Sequence, residues 1–258
     1  MTLNQLSIPS EGWPQPWPLL LEVADACTDG IWSVVGGTMV QIHAELAGIE
    51  PPRVTADVDL LLDLMSRGTS FGGIASQLER LGFGPDQPSH PGAPFHRFRR
   101  ADDVIDLLVA DHLPGHIHPR WLRQPVMSID GGAQALQRLT HVDLIHHGTT
   151  TTVTVPDLLG ALVLKAAAAI ADSRDAARHE ADAALLAALI TDHDSELARM
   201  HGSDRRRIRA LAARLESPRN PAWVQLPGEL AIRGRETISI FTSSATYAQR
   251  DQAAHYPL

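Results

Sequence analysis

The chain has 258 residues, of which 44% are apolar and 20% are charged, and its net charge is −8 at pH 7. This composition is typical of a globular protein with a sizeable core. A negative net charge disfavours general attraction to nucleic acid, so any contact with RNA or DNA has to be local. Cys27 is the single cysteine, which excludes an intramolecular disulfide and a multi-cysteine zinc site.

The N-terminal segment MTLNQLSIPSEGWPQPWP is polar and proline-rich. It lacks the basic start and the apolar centre of a secretion signal, and the chain has no uninterrupted apolar run of about 20 residues. We therefore expect a cytoplasmic protein that does not insert into a membrane.

Strand and helix patterns alternate in the first half of the chain. IWSVVGG predicts a buried strand that ends in a glycine turn, and TMVQIHAELAG predicts a helix. RVTADVDLLLD predicts the next strand, and GGIASQLERL predicts a second helix. Further strands are predicted for FHRFRR, DVIDLLVAD, HVDLIHHG and TTTTVTVP.

From Pro156 onward the pattern becomes helical. Helices are predicted for DLLGALVLKAAAAIAD, for RDAARHEADAALLAALITD, and for SDRRRIRALAARLES with Ser203 as its N-cap. TISIFT predicts one short strand in the tail. We therefore expect an α+β protein, with a mixed α/β core over residues 1–155 and a helical domain with an irregular tail over residues 156–258.

Two aspartates interrupt the apolar strand RVTADVDLLLD. Asp57 and Asp59 are separated by the period of a β-strand, so both side chains leave the sheet on the same face. Aspartate is uncommon in strands, and two like charges placed together need solvent, a cation or another compensating group. The pattern therefore indicates either an exposed strand face or a cation site.

A glycine turn and a third carboxylate favour the cation site. Gly36, Gly37 and Thr38 open a helix, where backbone N–H groups and a hydroxyl can bind the phosphates of a nucleotide. Asp106, in VIDLLVA, is expected on a neighbouring strand. Three carboxylates offer the hard oxygen ligands that suit Mg²⁺ in a two-metal site.

These motifs resemble those of the DNA polymerase β-like nucleotidyltransferases, in which a glycine turn and helix precede an Asp-x-Asp strand. The order VVGGTMVQIHA, RVTADVDL, VIDLL and then a lysine is more closely similar to the AbiEii/MenT family of toxin nucleotidyltransferases. The resemblance spans roughly residues 31–189 and implies a mixed sheet, a helical C-terminal half, and the use of nucleoside triphosphates with Mg²⁺. Some members modify the 3′ end of tRNA.

Carried over by position, the resemblance implies metal ligands at Asp57, Asp59 and Asp106, with Asp106 also acting as the base. Lys165 and Asp182 are further residues implied for catalysis. The residues implied for nucleotide binding are Gly36, Gly37, Thr38, Arg53, Thr55, Lys165 and Arg178. The chain departs from the family pattern at His179, where a carboxylate is common.

The spacing of Lys165 and Asp182 constrains the helical half. The two residues are 17 positions apart, which on one continuous helix would be about 26 Å, too far to share a site. We expect the helix to break at DSRD, with Asp172 or Ser173 capping a second helix that turns Arg174, Arg178 and Asp182 back toward the lysine.

The sequence leaves the acceptor open. The resemblance favours a toxin that acts on the 3′ end of tRNA and has a cognate antitoxin partner. A protein or a small molecule such as an antibiotic could replace tRNA, and the fold could also serve as a non-catalytic binding module. The arginines of FHRFRR and RRRIR either contact an RNA backbone or are solvated. We expect structural roles for His43 and His96.

Overall fold

The computed structural model describes residues 4–8, 13–51, 53, 55–88, 90 and 92–243. The chain divides into two compact units, Met1–Leu164 and Lys165–Leu258. The first unit carries the strands, and the described part of the second is helical. Within the described residues, every helix is too short or too polar to cross a lipid bilayer.

The strands of the described residues lie in the first unit. They are β1 (Gln5–Ser7), β2 (Trp32–Val35), β3 (Asp57–Leu62), β4 (Gly84–Pro85), β5 (Arg97–Arg100), β6 (Asp103–Ala110), β7 (Arg120–Trp121), β8 (Gln124–Pro125), β9 (Ser128–Ile129), β10 (Leu139–His146) and β11 (Thr149–Pro156).

The helices occur in both units. They are α1 (Trp17–Ala26), α2 (Gly36–Leu46), α3 (Phe71–Arg80), α4 (Gly132–Leu136), α5 (Leu158–Ala171), α6 (Ala176–Leu189), α7 (His193–Arg199), α8 (Asp204–Arg214), α9 (Pro221–Val224) and α10 (Gly228–Thr242).

The larger sheet of the first unit is mixed. Its strand order is β2-β3-β6-β5-β4, and β9 pairs with β6 outside this order. β3 and β6 run parallel, whereas β2 with β3 and β5 with β6 are antiparallel. The smaller sheet has the order β1-β10-β11, and β7 with β8 forms a separate hairpin. The predicted α+β class, with a mixed sheet followed by a helical region, is confirmed.

Burial along β3 shows which part of the sheet is covered. Leu61 and Leu62 point to opposite faces and are both fully buried, so the sheet is covered on both sides at that end of the strand. Asp57 and Asp59, at the start of β3, are partly exposed. The sheet therefore opens toward solvent where the strand begins.

Helix α2 is anchored at its C-terminal end by His43. This side chain is buried, and its Nε2 lies 2.8 Å from the carbonyl oxygen of Pro156, to which it donates a hydrogen bond. Burial lowers the pKa of His43 below its ordinary value, which favours the neutral imidazole. The contact supports the structural role expected for this histidine.

The aspartate strand begins later than the sequence predicts. Arg53 and Thr55 precede β3, which starts at Asp57. The Thr55 hydroxyl donates a hydrogen bond to the Asp57 carboxylate, and such local side-chain bonds compete with the regular strand ladder. Arg53 and Thr55 therefore belong to the segment that leads into the strand.

The second unit packs its helices around α10. This helix contacts α6, α7, α8 and α9. Gly234 lies where α10 meets its neighbours: a Cβ atom there would be 2.7 Å from Cζ3 of Trp223 and 3.0 Å from the carbonyl oxygen of Ala184. The close approach of these helices thus requires a residue without a side chain.

The predicted strand TISIFT is wrong, because the structure places it in the last turns of α10. The first four of the six residues alternate polar and apolar side chains, as a strand would. Over the longer segment, however, Leu230, Gly234, Thr237, Ile238 and Phe241 are buried at helical spacing. The longer period decides the structure, since it lets one continuous face pack against the other helices.

We predict that Gly234→Ala destabilises the protein by about 1–3 kcal/mol, because the added methyl group overpacks the contact with Trp223. The matched control is Gly228→Ala at the start of the same helix, where nothing lies within 4 Å of the added atom. Chemical denaturation of both variants checks this, and equal stabilities would contradict the packing argument.

Candidate active site

Three carboxylates meet at the start of the larger sheet. Asp57 and Asp59 share one face of β3. Val58 and Leu60 lie on the other face and are fully buried. The parallel register of β3 and β6 sets Asp59 directly opposite Asp106. One oxygen from each of the three aspartates lies within 4.8 Å of the others. The predicted gathering of these side chains is confirmed.

The glycine turn lies against this cluster. Gly36 has a φ of +65°, and a Cβ there would be 1.6 Å from Oδ2 of Asp59. A Cβ on Gly37 would be 2.7 Å from Oγ1 of Thr55 and 3.1 Å from Nη2 of Arg53. Because neither position has room for a side chain, the backbone at the start of α2 lies close to Asp59, Thr55 and Arg53.

Thr38 has a different position from the one expected for a phosphate ligand. Its side chain is fully buried, and its hydroxyl donates a hydrogen bond of 2.9 Å to the main-chain oxygen of Asp57. The side chain therefore joins the first turn of α2 to β3. The N–H groups of that turn have no acceptor within the helix, which makes them suitable donors to an anion.

Arg97 contacts the carboxylate cluster, which the sequence motifs did not predict. Its Nε donates to Oδ1 of Asp106 at 2.8 Å, and its Nη2 donates to Oδ2 at 2.7 Å. The hydrogen bonds to Asp106 raise the pKa of Arg97 most, and the charges of Asp57 and Asp59 raise it further. Counting from the hairpin turn at Ala101 would have placed Arg97 opposite Asp106.

The other arginines of β5 have partners away from the three aspartates. Arg99 forms an exposed ion pair with Asp86, with 3.3 Å between Nε and Oδ2. Arg100 binds both carboxylate oxygens of Glu22 at 2.6 Å and also pairs with Asp103. Arg100 therefore pairs with carboxylates of the first unit, while 30% of its side chain stays exposed.

The donor set of the three aspartates fits a divalent metal ion. Each residue offers a carboxylate oxygen, the ligand type that Mg²⁺ and Mn²⁺ prefer. The side chains come from two adjacent strands whose far ends are buried, so the backbone fixes their spacing. We infer that Asp57, Asp59 and Asp106 could hold such an ion.

The second unit contains a buried ion pair that the spacing argument anticipated. The helix breaks between α5 and α6, and Nζ of Lys165 lies 2.7 Å from Oδ2 of Asp182. Their side chains are 4% and 1% exposed, respectively. The prediction that a helix break brings these residues together is confirmed.

The details of that break differ from the prediction. Asp172 accepts hydrogen bonds from the main-chain N–H groups of Arg174 and Asp175, but the N-cap residue of α6 is Asp175. Arg174 lies outside the helix with its side chain 94% exposed, so it does not turn back toward Lys165. Arg178 is on α6, exposed, with its Nη2 3.9 Å from Oδ2 of Asp175.

His179 lies beside the buried ion pair. Burial lowers its pKa to about 4, and the positive charge of Lys165 contributes to the same effect. Its Nδ1 is buried without a hydrogen-bond partner in the structure. The neutral imidazole therefore adds no charge beside the ion pair.

Comparison with known proteins gives a weak structural similarity. The fold is similar to the crystal structure of an antigenic nucleotidyltransferase-like protein from Paracoccidioides brasiliensis, with a TM-score of 0.45 and 17% identity. The match covers 76% of this chain and 85% of the other. No family model and no curated protein matches the sequence. The function has to be inferred from the site.

We predict that Gly36→Ala lowers the free energy of unfolding by about 2–4 kcal/mol, since the methyl group would displace Asp59. Gly48→Ala is the matched control, because Gly48 follows the same helix, has a φ of +66° and has nothing within 4 Å of an added Cβ. It should lose only the roughly 1–2 kcal/mol of a left-handed backbone. Equal losses in thermal unfolding would argue against the close contact.

Proposed function

We propose that this protein is a nucleotidyltransferase, which moves a nucleoside monophosphate from a nucleoside triphosphate to an acceptor hydroxyl and releases pyrophosphate. The observation that carries the proposal is the contact between the glycine turn and the carboxylate cluster. The Gly36 backbone lies against Asp59, so the N–H groups proposed for the phosphates adjoin the carboxylates proposed for the metal. A triphosphate bound with a divalent metal needs both sites together.

Asp57, Asp59 and Asp106 would hold the metal in this reaction, with Mg²⁺ as the expected ion and two ions in the full site. When bound, such an ion neutralises phosphate charge and lowers the pKa of a coordinated hydroxyl. The first-turn N–H groups of α2 and the guanidinium of Arg53 would bind phosphate oxygens. Phosphate binding at that turn would place the triphosphate beside the aspartates, because the Gly36 backbone adjoins Asp59.

The transfer itself is a single displacement. The acceptor hydroxyl oxygen forms a bond to the α-phosphorus, the bond from that phosphorus to the bridging oxygen breaks, and pyrophosphate leaves. The hydroxyl proton passes to a carboxylate oxygen of Asp106. Arg97 occupies one lone-pair direction on each of these oxygens, and each keeps another.

The helical unit is proposed to contribute to nucleotide binding through Lys165 and Arg178. Motif order along the chain supports this, since the lysine follows VIDLL as it does in the AbiEii/MenT proteins. In the structure the ammonium of Lys165 is paired with Asp182. To contact a phosphate, this ammonium would have to leave Asp182 or bind the phosphate and Asp182 together. Asp182 would then hold Lys165 in position between reaction cycles.

We also propose that the acceptor is the 3′ end of tRNA and that the protein is the toxin of a toxin–antitoxin pair. The resemblance of the motifs supports this choice of acceptor. The exposed side chains of Arg206 and Arg209 on α8 offer local positive charge for an RNA backbone on a chain that is acidic overall. A protein or small-molecule acceptor remains the alternative outcome of the test.

The test is a transfer assay with α-³²P-labelled nucleoside triphosphates, Mg²⁺, and either total RNA or cell lysate. Label on tRNA supports the whole proposal, and label on a protein or small molecule supports the enzyme class with another acceptor. Absence of label with all four nucleotides and every acceptor would contradict the proposal and favour a binding module.

We predict that Asp57→Asn and Asp59→Asn each reduce transfer on the order of a hundredfold or more, because the metal loses a charged ligand. Thermal stability without metal should be unchanged or higher, since one charge of a crowded cluster is removed. Asp63→Asn, directly after β3, is the control and should keep its activity. A large loss of metal-free stability in both site variants would indicate a structural pair instead.

A second prediction separates structure from function in the helical unit. Lys165→Met and Asp182→Leu should each cost about 3–5 kcal/mol, because each removes one partner of a buried ion pair. The double variant should recover most of that stability. If Lys165 serves the reaction, the double variant remains inactive although it is folded, as measured by denaturation and the transfer assay. Normal transfer by the double variant would assign the pair a purely structural role.

A further inference from the structure

The contact between Arg97 and Asp106 is set by the backbone. Arg97 lies directly opposite Asp106 in the antiparallel register of β5 and β6, while Asp59 lies opposite Asp106 on the other side. Asp106, on the middle strand β6, thus has Arg97 on one side and Asp59 on the other. The planar fork of Arg97 reaches both oxygens of Asp106, at 2.8 and 2.7 Å.

The two partners differ in exposure. The side chain of Asp106 is 9% exposed, whereas that of Arg97 is 36% exposed. About a third of the Arg97 side chain is therefore in contact with solvent, whereas the Asp106 carboxylate is largely enclosed. An ion-pair partner in contact with water leaves the pair at lower cost than an enclosed one.

We propose that Arg97 is a built-in counter-ion of the carboxylate cluster, which competes with the divalent metal for Asp106 and thereby sets the metal affinity of the site. This inference rests on the metal site of the proposed function. A carboxylate has about four lone-pair directions, and the guanidinium fork occupies two of those on Asp106. A metal ion at Asp106 must either share this carboxylate with Arg97 or displace Arg97 from it. In both cases the positive charge of the arginine repels the metal ion.

Competition and simple structural support have opposite consequences for metal binding. A competing arginine stabilises the metal-free protein and weakens metal binding, so its removal lowers stability and raises affinity. If Arg97 only arranged Asp106 for the metal, its removal would lower both the stability of the protein and the affinity for the metal. Measurements on the metal-free and the metal-bound protein therefore distinguish the two roles without an activity assay.

The experiment titrates Mn²⁺ into the full chain and measures binding by electron paramagnetic resonance and thermal unfolding with and without the ion. The variants are Arg97→Met, which removes the charge, and Arg97→Lys, which keeps a charge without the fork. Arg99→Met is the matched control, because Arg99 is on the same strand and face but pairs with Asp86.

We expect Arg97→Met to unfold about 3–6 °C lower without metal and to bind Mn²⁺ roughly tenfold more tightly than the wild type. Arg97→Lys should bind Mn²⁺ with an affinity between those of the wild type and Arg97→Met. If Arg97→Met fails to fold, the affinity of Arg97→Lys serves as the test. Arg99→Met should match the wild type in Mn²⁺ affinity.

Two results would overturn the inference, and they have different implications. Mn²⁺ binding by the wild type together with equal or weaker binding by the Arg97 variants would show that Arg97 does not compete, while the proposed metal site would stand. Absence of Mn²⁺ binding by the wild type and by every Arg97 variant would contradict the metal site and hence the proposed function as well.

Discussion

The parallel pairing of β3 with β6 is the constraint on which the site depends. It sets Asp59 opposite Asp106, with Asp57 two residues away on the same face, so three negative charges share a small volume. Mutual repulsion would disperse these side chains on a mobile loop. They stay together because the hydrophobic ends of the same strands are buried and fix the register.

The surroundings of the cluster follow from this constraint. Arg97 balances part of the charge from the neighbouring strand, and Thr55 donates its hydroxyl to Asp57. The turn of α2 approaches so closely that Gly36 cannot carry a side chain. Each of these groups therefore contacts the carboxylates through a hydrogen bond, a charge or the backbone.

The carboxylate cluster and the ion pair of the second unit were predictable because each depends on local periods. Strand alternation placed Asp57 and Asp59 on one face, and the rise of a helix required a break between Lys165 and Asp182. The role of Arg97 was missed because it depends on strand register, which composition and spacing leave open until the hairpin turn at Ala101 is known. The buried hydroxyl of Thr38 was also unpredictable, since it depends on how α2 packs against β3.

The errors in the fold have a similar cause. TISIFT begins with four residues that alternate as in a strand, but its burial is decided by contacts of α10 with α6 and α8. Such contacts involve residues distant in sequence, and a short window does not contain them. Likewise, Arg174 has the spacing of a helical partner for Asp182, yet the hydrogen bonds of Asp172 delay the start of α6 beyond it.

The central claim is that the three aspartates bind a divalent metal next to the glycine turn. Crystals grown with Mn²⁺ and a non-hydrolysable nucleoside triphosphate analogue test it directly through anomalous scattering at the manganese edge. We expect an anomalous peak within about 2.5 Å of oxygens from Asp57, Asp59 and Asp106, with phosphate density at the first turn of α2. Nucleotide bound elsewhere, or a carboxylate cluster without a peak at saturating Mn²⁺, would contradict the account.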